Sequence, residues 1–178
     1  MRTFVAVFPP QSVREALFRA ARDLPASKAF RLIGREKLHL TLKFLGNVAE
    51  DDLIRVEQAL GQLRGRHEPF EVSTSGFGAF PSERRARILW VGVGEGSGPL
   101  RAVAQSVDDL LEPAGFEIER RPYVPHLTLG RARGQGAKLD AASVYPPALR
   151  FSVSGVDLVE SVPGKGGVTY SVLETYSF

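Results

Sequence analysis

The period of hydrophobic and polar positions changes several times along the chain. RTFVAVF (2–8) alternates and is rich in β-branched and aromatic residues, which predicts a strand. From Gln11 to Leu24, Val13, Leu17, Ala20, Ala21 and Leu24 fall on one face at helical spacing. In LHLTLKFLG (38–46), Leu38, Leu40, Leu42 and Phe44 alternate with His39, Thr41 and Lys43, a half-buried strand whose polar side chains share a face. A helix is expected from about Glu50 to Leu63, where Glu50, Asp51 and Asp52 suit the positive helix start. Strands fit 70–80 and 86–93, joined by PSERR. Ser97 or Gly98 caps a further helix with Pro99 in its first turn, running to about Leu111 and closed by Pro113 and Gly115. Strands come next at 117–121 and 126–132, then a loop over 133–148 rich in Gly, Ala and Pro. Two last strands, 149–161 and 167–178, are joined by VPGKGG, read as a hairpin turn.

Interleaved strands and helices, with several strands joined by short turns, predict an α+β fold with largely antiparallel sheets. No linker or charge run separates independent domains, so residues 1–178 read as one domain or two small lobes sharing a core. The absence of cysteine excludes a disulfide framework, a thiolate nucleophile and a cysteine-ligated metal, and fits a reducing compartment. The first apolar run is stopped by Pro9 and Pro10, too early for a secretory signal. No apolar stretch approaches the roughly 20 residues that span a bilayer, so the expected location is the cytoplasm, with no membrane partner. A formal net charge of +3 is too small to predict tight, sequence-independent nucleic-acid binding. Of 23 basic residues 18 are Arg, which reflects either a GC-rich genome or the better match of a guanidinium fork to phosphate. Local clusters are Arg84, Arg85 and Arg87; Arg120 and Arg121; Arg131 and Arg133.

His-Leu-Thr-Leu occurs at 39–42 and again at 126–129, about half a chain length apart, and takes up two of only three histidines. On a strand, residues i and i+2 share a face, so each copy buries its leucines and projects His and Thr together. Two such strands brought together would line one groove with two histidines and two threonines. Two imidazoles titrating near pH 6.5 can act as acid and base at one pH, and Thr hydroxyls can donate to the non-bridging oxygens of a phosphate. A single strand histidine is ordinarily structural or solvated; the duplicated pairing with Thr selects His39 and His126. His67, in RGRHEPF, lacks that support and reads as a loop residue.

The two H-x-T motifs resemble the defining pair of the 2H phosphoesterase superfamily. With RTFVAVFPP, KLHLTLKFLG, GAFPSERRARILWVGV and RPYVPHLTLGR, nearly the whole chain resembles the bacterial and archaeal RNA 2′,3′-cyclic phosphodiesterases, historically called 2′-5′ RNA ligases. The resemblance implies a bilobal α+β fold, two pseudo-symmetric lobes of largely antiparallel sheet with outer helices around a central, positively charged cleft. It also implies hydrolysis of an RNA 2′,3′-cyclic phosphate to a 2′-phosphate without metal or cofactor. The implied partners are RNA ends or oligonucleotides carrying that group and small cyclic nucleotides, with a monomer as the default. By resemblance His39 is the acid for the 3′ oxygen and His126 the base for water, while Thr41 and Thr128 hold the phosphate oxygens. Reversible 2′-5′ ligation in the same groove, or a non-catalytic RNA-end or nucleotide-binding module, are the competing readings.

The family pattern makes Arg131 a substrate ligand. On a regular strand it would point away from Thr128, so the role needs a bend, which Gly130 permits; a surface arginine is the alternative. Tyr123 and Phe80 are candidates for stacking a terminal base, with core packing competing for each. Lys43 shares the His39 face and either adds positive potential or is solvated. GEGSG (94–98) and PGKGG (163–167) lack the residues of a phosphate-binding loop and read as turns. No His, Asp and Glu cluster has metal-ligand spacing, and no nucleophile elbow occurs.

Overall fold

Residues 1–165 and 167–178 are described by a computed structural model. The strands are β1 (Arg2–Val7), β2 (Phe30–Leu32), β3 (Leu40–Asn47), β4 (Phe70–Phe80), β5 (Ile88–Val93), β6 (His126–Ala132), β7 (Arg150–Val153), β8 (Gly155–Gly164) and β9 (Gly167–Ser177). The helices are α1 (Gln11–Asp23), α2 (Glu50–Gly61) and α3 (Ser97–Leu111). The strands form one antiparallel sheet in the order β7-β4-β5-β6-β3-β1-β8-β9, with β2 pairing the end of β6. No helix among the described residues is long and apolar enough to cross a membrane.

The strand–helix–strand units β1–α1–β3 and β5–α3–β6 place their second strands side by side at the centre of the sheet, each flanked by its own first strand. This is the two-lobed α+β arrangement that the family resemblance implies. The apolar stripes of all three helices, including Leu17, Leu60 and Val107, pack on one face of the sheet with Val5, Leu40, Leu89 and Leu127 in a single core. Phe4, Ala6 and Val159 form a second, smaller cluster with Phe8 and Tyr170. Along β1 these alternate with the core residues Val5 and Val7, so this cluster lies on the face opposite the helices.

One break in the chain shows how far the sheet curls. The expected strand 149–161 is interrupted at Ser154, and its halves join different parts of the sheet: β7 pairs β4, whereas β8 pairs β1. In a flat sheet those positions would be about 29 Å apart at ~4.8 Å per strand, yet only one residue joins them, a reach of about 7 Å. The sheet must therefore wrap until its outer strands meet over the common core.

Two other expectations change. Residues 117–121 are exposed and carry no ladder hydrogen bonds, so no strand forms there. Conversely, the short β2 lies in a stretch where no element was expected: Phe30 is buried, and Leu32 pairs Gly130 at the end of β6. Three residues are too few to show a period. The VPGKGG turn includes Gly166, which lies outside the described residues.

Candidate active site

β3 and β6 meet through the pair Leu40–Leu127, both fully buried. Continuing that antiparallel register by one residue either way puts His39 across from Thr128 and Thr41 across from His126. Because the leucines point into the core, all four polar side chains emerge on the opposite, open face. The two copies are thus related by a local two-fold passing through the leucine pair, and each histidine has the other copy's threonine beside it.

Both imidazoles are held in the same way. His39 Nδ1 lies 2.6 Å from the Lys37 carbonyl, and His126 Nδ1 lies 2.7 Å from the Val124 carbonyl, two residues upstream in each case. A carbonyl only accepts, so each Nδ1 carries its proton and donates, leaving Nε2 of each ring to act. In the neutral ring Nε2 is a base; in the cation it is an acid.

Aromatic walls then separate the two environments. Around His39 stand Phe4 at 4.9 Å, Phe8 at 5.3 Å and Tyr170 at 5.2 Å, the last edge-on at 89°. His126 has Phe80 at 5.1 Å, also edge-on, and Trp90 at 6.2 Å. The indole of Trp90 lies directly over Gly78, where a Cβ would come within 2.2 Å of the ring, so no other residue fits beneath it. Burial lowers the His39 pKa, opposed by the hydrogen bond to Lys37 and reinforced by the charge of His126.

A β-bulge in each motif decides which later residues reach this face. Opposite β1, Ala6 pairs Thr41 but Val5 pairs Lys43, leaving Leu42 as the extra residue. Opposite β5, Trp90 pairs Thr128 but Leu89 pairs Gly130, leaving Leu129 as the extra residue. The bulges fall at equivalent positions and invert the alternation beyond them. Lys43 therefore does not share the His39 face. It turns into the core side, where its ammonium pairs with Asp108 of α3 and donates to the Glu117 carbonyl at 2.6 Å. Phe44 takes the open face instead, packing against Phe4 at 6.2 Å. In the second copy the same inversion carries Arg131 onto the open face, where its charge acts on the Tyr170 hydroxyl. The bend that Arg131 needs is thus present, at Leu129 and Gly130.

The remaining sequence candidates separate. Phe80 stands against His126, whereas Tyr123 packs on the main core with its hydroxyl buried and raised well above its ordinary pKa by that burial. Tyr123 is therefore placed as a core residue and not as an open stacking platform. His67 bonds the Ser106 hydroxyl at 2.9 Å and packs against Phe178, away from the paired motifs. Arg85 and Arg87 line a shallow hollow with Phe80, Pro81 and Ile88. Phe4, Phe8, Trp90 and Tyr170 carry no local signal that marks them as site residues, with one exception. For Trp90 a signal existed in the two small glycines, 78 and 92, that make room for it.

Known proteins share this architecture. The 2′-5′ RNA ligase superfamily profile matches residues 8–165. The RNA 2′,3′-cyclic phosphodiesterase of Archaeoglobus fulgidus is 38% identical over 133 residues, covering 75% of this chain and 73% of that one. Its namesake from Thermus thermophilus is 34% identical, covering 99% of this chain and 90% of the relative. Among solved structures, TT0787 of Thermus thermophilus superposes with a TM-score of 0.86 at 29% identity, covering 99% of this chain and 97% of that one. E. coli LigT complexed with 3′-AMP gives 0.80 at 25% identity, with coverages of 99% and 97%.

Proposed function

The chain belongs to the 2′-5′ RNA ligase superfamily, and from that premise we propose that it hydrolyses 2′,3′-cyclic phosphates of RNA ends and small nucleotides to 2′-phosphates by acid–base catalysis between His39 and His126. The observation that carries this reading is the matched pair of His–Thr strands meeting at Leu40–Leu127, each ring with its Nδ1 tied to a carbonyl.

In this mechanism His126 Nε2 takes a proton from water as the water oxygen attacks phosphorus. The bond from phosphorus to the 3′ oxygen breaks, and His39 Nε2–H delivers its proton to that oxygen. The products are a 2′-phosphate and a free 3′ hydroxyl. Thr41 and Thr128 donate to the non-bridging oxygens, and Arg131 neutralises charge that grows on them. Burial favours neutral His39 in the free protein, but the acid must be protonated in the complex. The phosphate anion reconciles these demands, since a negative charge beside the imidazole raises its pKa again. Every step uses side chains of this chain, and no metal is assigned a role. We place the protein in the cytoplasm, with RNA ends as its partners. A single chain holds both histidines, so the monomer is taken as the working unit.

The test is turnover of adenosine 2′,3′-cyclic phosphate in EDTA, with identification of the product isomer. Adenosine 2′-phosphate is expected. His126→Ala should lower kcat by roughly 10²–10⁴-fold while ligand affinity stays within a few-fold. The 3′-phosphate as product would reverse the substrate's orientation, and undiminished turnover in the variant would discard the two-histidine mechanism.

A further inference from the structure

Arg131 is not the only guanidinium at this end of the site. The short strand β2 pairs Arg31 directly with Arg131. Residues opposite each other in an antiparallel pair project from the same face, so both guanidiniums stand on the open face, and both are exposed. Like charges placed directly across a ladder are unfavourable on their own. Neither arginine has a carboxylate partner among the described residues. Such a pair fits a ligand that carries more than one negative charge.

We propose that Arg31 and Arg131 form a two-phosphate clamp. Arg131 meets the cyclic phosphate, and Arg31 meets the phosphodiester on the 5′ side of the terminal nucleotide. The two side chains start roughly 5 Å apart at Cβ, and their length lets the guanidiniums spread to phosphates one nucleotide apart. The geometry depends on the second bulge: without the extra Leu129, Arg131 would point into the core side and Arg31 would stand alone. This inference rests on the reading of the site as an RNA-end phosphodiesterase. It narrows the substrate class to oligonucleotide ends, which carry the second phosphate, over cyclic mononucleotides, which do not.

The experiment compares kcat/KM for a dinucleotide ending in a 2′,3′-cyclic phosphate with kcat/KM for adenosine 2′,3′-cyclic phosphate, over a series of salt concentrations. Wild-type protein is expected to prefer the dinucleotide. In Arg31→Gln that preference should fall by about tenfold, as for loss of one charge-assisted contact, and its salt dependence should flatten. Arg31→Lys should recover part of the preference. Circular dichroism establishes that each variant is folded. A ratio unchanged in Arg31→Gln overturns the clamp, as does an equal loss on both substrates, which would place Arg31 on the cyclic phosphate itself. Absence of turnover by the wild type on either substrate would instead discard the phosphodiesterase reading beneath it.

Discussion

At the scale of single residues, the two histidines are held alike at Nδ1 but differ in their surroundings. His39 sits among three aromatic rings and His126 beside two. Burial lowers the His39 pKa below its ordinary 6.5, with the His126 charge adding to it. In the proposed mechanism His39 is the acid and must be protonated, so kcat/KM, which reports the free enzyme, should decline with rising pH from below about 6.5. The decline of kcat should come at higher pH, because bound phosphate restores the imidazolium. Tyr170→Ala opens the aromatic wall and should move the kcat/KM limb upward toward 6.5. A pH–rate profile that stays in place in that variant would mean that Tyr170 does not help set the His39 environment. That His39, His126, Thr41 and Thr128 share one open face was legible because the motif is local and repeated. Tyr170 was not, since it is brought to His39 by a strand at the far end of the chain.

At the scale of elements, alternation located β3 and β6 but assigned the wrong face to residues beyond the bulges. Lys43 reads as an open-face residue by period two, yet Leu42 is the extra residue that turns it inward to Asp108. The pair is largely buried, with side chains 7% and 14% exposed. Asp108→Ala would leave the Lys43 ammonium without its counter-charge and should destabilise the fold by about 3–5 kcal/mol, measured by denaturant unfolding. Replacing both residues together, Lys43→Met with Asp108→Leu, should recover most of that loss. If the single variant is as stable as wild type, the ion pair does not hold β3 against α3. The strand expected at 117–121 does not form, because no neighbouring strand offers it a ladder. Its Glu117 carbonyl is engaged instead by Lys43.

At the scale of the whole molecule, the C-terminal strands belong to both lobes. β7 completes the second lobe beside β4, and one residue later β8 joins β1 of the first. One continuous core includes apolar residues from all three helices and from both sides of the central strands. Unfolding should therefore be a single cooperative transition, with far-UV circular dichroism and the fluorescence of Trp90, the only tryptophan, giving the same midpoint. Separate midpoints would mean that the lobes unfold independently. The amino-acid order by itself determined most of the elements, the α+β class and the two strands that carry His and Thr. Those depend on periodicity and on a repeated tetrapeptide, which are properties of short segments. The tertiary structure alone decided which faces Lys43, Phe44 and Arg131 occupy, which rings enclose His39, and that Arg31 stands opposite Arg131. Each of those depends on the register of a strand against a partner distant in sequence, and a one-residue bulge is enough to invert it.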